Sequence, residues 1–156
     1  MYKYKVTVDK IREVLLQYDS SLEAMCDLAT CLLIQIVPHI EIIAGEVTYH
    51  SKKINHVWAY DSKEKYYIDI TSEQFGFPPC LCSQDVTDFE NKHYVISSNF
   101  HIWNGAFQQC EKLHHGPVLI HKGKEITMAY LLFEITKKKR SKRWFFFGGT
   151  RRRRIN

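Results

Sequence analysis

Residues His56 to Phe75 read HVWAYDSKEKYYIDITSEQF. Two strand-like runs, Val57 to Tyr60 and Tyr66 to Ile70, flank the polar stretch Asp61–Ser62–Lys63–Glu64–Lys65. This is the pattern of a β-hairpin closed by a loop of about five residues. Antiparallel pairing about that loop sets His56 opposite a position just past Ile70, which makes Asp69 its near neighbour. A carboxylate beside an imidazole orients the ring and stabilises its charged form. Such a pair commonly serves a nucleophile, so the flanking sequence is read for one.

Upstream, Val8 to Gln17 has Ile11, Val14, Leu15 and Tyr18 at helical spacing and predicts a short amphipathic helix. Ser20–Ser21–Leu22–Glu23 has the S-x-x-E form of a capping box, so a second helix is expected to start there. It runs through Leu28, Ala29, Leu32, Leu33 and Ile36 and ends near Val37, because Pro38 disfavours helix in the residue before it. Ile40 to Val47, β-branched and containing Gly45, reads as a strand, and Thr48 to Asn55 as a polar connection. Downstream, Gly76–Phe77–Pro78–Pro79 breaks the pattern and Val86 to His93 is charged and loop-like. Tyr94 to Ser97 suits a short strand, Phe100 to Leu113 a helix with an aromatic face, and Pro117 to His121 a strand before the turn Lys122–Gly123–Lys124. Ile126 to Thr136 has helical spacing and closes the domain, with a strand as the alternative. The fold class expected is α+β, with N-terminal helices packed on an antiparallel sheet that begins near Ile40.

The chain of 156 residues is 45% apolar, enough for one domain with a real core. No apolar run reaches the roughly 18 residues of a membrane span, and the opening MYKYKVTVDK lacks the apolar region of a secretory signal. The expectation is a cytoplasmic protein, or one exported without a classical signal peptide. The net charge of +5 hides a split: ten of the 22 Lys and Arg fall between Lys137 and Arg154, and no acid follows Glu134. Residues 1–136 are therefore expected to form a single acidic domain. Residues 137–156, basic and with the aromatic insert Trp144–Phe147, are expected to be disordered. Such a tail has the chemistry to bind nucleic acid or anionic lipid. Five cysteines, an odd number, read as free thiols rather than a disulfide framework.

Among those thiols Cys26 stands out. It lies within the first two turns of the second expected helix, where the dipole stabilises a thiolate. Cys31 lies deeper, beside Leu32 and Leu33, and suits core packing. Cys26, His56 and Asp69 then form a nucleophile–base–orienter set. The competing reading of a lone helical cysteine is a small core residue. A zinc site from Cys80, Cys82, Cys110, His114 and His115 matches no common spacing, so no metal is expected. No HExxH is present to support a metallohydrolase either.

Cys26-x-x-Ala29-Thr30, a strand ending Ala44–Gly45, His56-x-Trp58 and Asp69–Ile70–Thr71–Ser72–Glu73–Gln74–Phe75 together resemble the motifs of transglutaminase-like and papain-like cysteine proteins. The resemblance covers roughly residues 20 to 77 and is most specific in its last motif. It implies a papain/transglutaminase-like fold, a Cys26–His56–Asp69 catalytic triad and thiol acyl-enzyme chemistry on amides: peptidase, glutamine deamidase or transglutaminase-like, with no cofactor. Gln74 and Trp58 are the candidate substrate-binding or oxyanion residues. The chain departs from the papain pattern in lacking a Gln just before Cys26, Gln17 being nine residues upstream, and in placing Asp27 directly after it, where an acid opposes thiolate formation. The expected partner is a peptide or protein amide. The alternative is an inactive papain-like binding module that engages nucleic acid or anionic membrane through its tail.

Overall fold

The computed structural model describes residues 3–84 and 93–137. Its architecture is mixed α+β, with four helices and an antiparallel sheet. The expectations for Val86 to Lys92 and for the basic tail beyond Lys137 fall outside the described residues.

Helix α1 (Lys5–Leu15) buries Val8, Ile11, Val14 and Leu15, the 3–4 spacing that makes one apolar stripe. Helix α2 spans Cys26–Ile36. It therefore starts later than the S-x-x-E pattern predicts, for a visible reason. Asp19 Oδ1 accepts from the Ser21 N–H and hydroxyl, and Ser21 Oγ accepts from the Glu23 N–H, a chain of tight turns rather than a cap. Leu22 and Ala24 then take left-handed backbone, φ 55° and 56°, which no helix accommodates. Leu22 is fully buried, so packing holds the strained turn in place. At the other end Val37 is extended, as a residue before proline should be.

Strands β1 (Ile40–Tyr49) and β2 (Lys52–Asp61) pair antiparallel from Ile40↔Asp61 to Tyr49↔Lys52. The turn is His50–Ser51 alone, both at positive φ (46° and 62°), as a two-residue primed turn requires. The expected polar connection Thr48 to Asn55 is thus mostly strand. Lys52 to Asn55 is solvent-exposed, and a solvated hairpin end carries no apolar alternation to betray it. Strand β3 (Tyr66–Asp69) returns along β2, with Ala59↔Ile68 and Asp61↔Tyr66. A 3-10 helix (Ser72–Phe75), β4 (Leu81–Ser83) and β5 (Tyr94–Ile96) complete a sheet of order β4-β3-β2-β1-β5. Gly45 stands where β1 meets both β2 and β5. A Cβ there would lie 2.3 Å from the Val95 carbonyl oxygen and 2.5 Å from the Trp58 ring, so only glycine fits.

Helix α3 (Phe100–His114) is capped by Asn99, whose side chain accepts from the His101 N–H. Strands β6 (Pro117–His121) and β7 (Lys124–Thr127) form a second small sheet. Helix α4 (Met128–Thr136) buries Met128, Leu131 and Ile135 in the core it shares with α1 and α2, which decides for helix between the two sequence alternatives. Cys31 of α2 and Cys110 of α3 form a disulfide, Cα–Cα 6.2 Å, while Cys26, Cys80 and Cys82 are not disulfide-bonded. This corrects the expectation of free thiols throughout. An odd cysteine count constrains only a complete pairing, and here two helices bring the buried Cys31 and the half-buried Cys110 together. It also removes Cys110 from the alternative zinc set. Cys82, its thiol pushed up to about 11 by burial and by the charge of Asp61, is poorly suited to ligate as thiolate. No described helix is long and apolar enough to cross a membrane.

Candidate functional site

The β2–β3 register, continued three steps beyond its last paired residues, sets His56 opposite Thr71 and Asp69 diagonally across on the same face. Both are buried, His56 3% exposed and Asp69 not at all. The His56 Nε2–H donates to Asp69 Oδ2 at 2.8 Å, and the Tyr94 hydroxyl donates to the same oxygen. Oδ1 accepts from the Thr71 N–H at 2.9 Å and the Thr71 hydroxyl at 3.2 Å. The four acceptor positions of the carboxylate are thereby filled. Behind it, Gln74 Nε2–H donates to Thr71 Oγ1 at 3.0 Å, and Arg12 reaches from α1 to the Ile70 carbonyl and to Glu73, each at 2.6 Å. The 3-10 helix is thus clamped from two sides.

Burial alone would drive the His56 pKa down. The charge and hydrogen bond of Asp69, together with Cys26, outweigh it and push it up to about 10. Burial acts on Asp69 in the opposite sense, and its bonds to His56, Tyr94 and Thr71 hold it below the usual carboxylate range. The pair therefore stands as imidazolium and carboxylate. The ring packs edge-on to Phe75, centroids 4.8 Å apart, with Trp58 stacked at 5.9 Å.

With Nε2 held by Asp69, Nδ1 is the ring nitrogen left to face Cys26, which lies near enough to help raise the His56 pKa. Cys26 is the first residue of α2, and Met25 before it contributes no side-chain cap. The first-turn N–H groups of Cys26, Asp27 and Leu28 have no acceptor within the helix, which leaves them as donors at the helix end that carries Cys26. Cys26, Asp27, Asn55 and His56 line one side of an open cavity of about 470 Å³, and α3 supplies the other with Gly105 and Gln109 among its residues.

Three of the sequence candidates, Cys26, His56 and Asp69, are thus brought together. The other two are not at the cavity. Gln74 spends its amide on Thr71, and Trp58 is fully buried among Val47, Phe75 and Tyr94. Sequence reading missed Tyr94, which looks like any aromatic in a short strand. It also missed Gln109, whose approach depends on how α3 packs. The chain matches no protein-family model, no curated protein and no solved structure.

Proposed function

We propose that this chain is a cysteine-dependent acyl-transfer enzyme acting on amides, with a papain/transglutaminase-like fold and a Cys26–His56–Asp69 triad. The observation that carries the reading is a buried Asp69–His56 pair whose remaining ring nitrogen meets a cysteine at a helix N-terminus, in an open cavity.

In the reaction the proton resides on His56 and Cys26 attacks as the thiolate. The S–C bond forms, and the carbonyl oxygen, now an oxyanion, accepts hydrogen bonds from the first-turn N–H groups of α2. Collapse breaks the C–N bond, and the His56 proton passes to the departing amine. Water then adds to the thioester as His56 takes its proton. The S–C bond breaks, the acid leaves and the imidazolium is restored. An acceptor amine in place of water gives a transferred amide, and ammonia as the departing amine gives deamidation. Asp69 keeps the ring in one tautomer throughout.

The test is alkylation with iodoacetamide across pH, with the adduct mapped among Cys26, Cys80 and Cys82. Expected is selective labelling of Cys26 at pH values well below the ordinary thiol range of about 8.5, a selectivity abolished by His56→Ala. Labelling of Cys26 no faster than that of a free thiol overturns the proposal.

A further inference from the structure

A second cavity, of about 200 Å³, adjoins the one that holds Cys26 and shares two wall residues with it, Asp27 and Gln109. Its sides are aliphatic, formed by Leu28, Leu113, Val118 and Leu119, and Glu23 and Asp27 also line it. Among the described residues, no lysine or arginine lines either cavity. Among the described residues, no hydrogen bond or ion pair engages the carboxylate of Asp27 or of Glu23. Asp27 is half-buried, and burial raises its pKa against the lowering effect of the His56 charge. Burial outweighs the His56 charge, so the Asp27 carboxylate stays costly in that position and a further cation would stabilise it.

An aliphatic slot with two unengaged acids is complementary to one chemical group: a methylene chain that ends in a charge. We infer that the second cavity receives a lysine or arginine side chain of the substrate, so that the attacked amide lies next to a basic residue. The inference rests on the proposed acyl-transfer reading and adds the substrate class to it. A norleucine side chain fills the same apolar walls but brings no cation to half-buried Asp27, where a charge pair outweighs one at an open surface; Glu23, exposed at the rim, adds less. Asp27, which opposes the thiolate when alone, becomes neutralised when the right substrate arrives. Specificity and nucleophile activation are then coupled through one side chain.

The test uses the full chain and two thiol-alkylating probes that differ in one group, Ala-Ala-lysyl chloromethyl ketone and its norleucyl counterpart. In both, the Cys26 sulfur displaces chloride. Iodoacetamide, which carries no side chain to read, supplies the reference rate for each variant. Expected is labelling of Cys26 by the lysyl probe about tenfold faster than by the norleucyl probe, a preference that Asp27→Asn and Glu23→Gln each reduce and the double variant removes. Equal rates for the two ketones, in a protein whose Cys26 iodoacetamide labels rapidly, overturn the substrate class and leave the acyl-transfer reading standing. A preference unchanged in the double variant overturns the assignment of the slot. Slow iodoacetamide labelling overturns the acyl-transfer reading, and the substrate class falls with it.

Discussion

At the scale of single residues, Asp69 governs the site. Its charge holds the His56 pKa up near 10, from an ordinary value of 6.5. A raised pKa means the folded protein binds that proton more tightly than the unfolded chain does. The stability it contributes is fully present below about 6.5 and is lost as pH rises through 10. The depressed pKa of Asp69 works in the other direction: its contribution is present above about 3.9 and is lost as pH falls. Asp69→Asn removes the charge while keeping the shape. Urea unfolding midpoints measured from pH 6 to 10.5 should fall in the parent and run nearly flat in the variant. An equal slope in both would place the titration elsewhere. The same substitution should reduce any acyl-transfer rate by about 10²–10⁴-fold, the usual worth of a positioned acid–base group.

At the scale of elements, the disulfide joins the helix that carries Cys26 to the helix that walls the opposite side of the cavity. It closes a loop with a sequence separation of 79 residues. Cys110→Ser should cost about 2–4 kcal/mol, read as a lower denaturation midpoint that excess reductant reproduces in the parent protein and does not deepen in the variant. This pairing was illegible in the sequence, because it depends on how α2 and α3 cross, and nothing in either helix reports the other. The β2–β3 hairpin was legible, since alternation, loop length and the His56–Asp69 offset are all local. So were the end of α2 at Pro38 and the run of α3. The start of α2 was misread because Ser20 to Glu23 satisfies the pattern of a cap, while the buried Leu22, a tertiary contact, selects a left-handed turn instead. Strand β4 and the 3-10 helix were missed for their shortness: three or four residues carry no period. Gly45 carried a signal, since an isolated glycine in a strand marks a close approach, but not the identity of what approaches.

At the scale of the whole molecule, the first and last described elements lock together. Helix α4 packs on α1 and α2, and Lys10 of α1 donates to the carbonyls of Ile135 and Lys137 at its C-terminal end. Leu131 is fully buried in that core. Leu131→Ala should therefore cost about 2–5 kcal/mol, and truncation after Thr127 should abolish the cooperative thermal transition measured by circular dichroism. A truncated chain that still melts sharply would show that the sheet and the first two helices suffice. Cys26, His56 and Asp69 all lie between positions 26 and 69, yet the cavity wall facing them and the Tyr94 hydroxyl on Asp69 come from residues after 93. The earlier stretch could suggest the proposed chemistry. Only the closed fold gives it a surface on which to act.

The saturated carboxylate has a last consequence. With both oxygens of Asp69 fully engaged by donors, neither has a lone pair left for a proton. In the proposed cycle the mobile hydrogen therefore has a single resting place within the protein, the imidazole, and one exit, toward the cavity. The site is a one-proton device, and it passes that proton to the substrate side because every route toward the interior is already occupied.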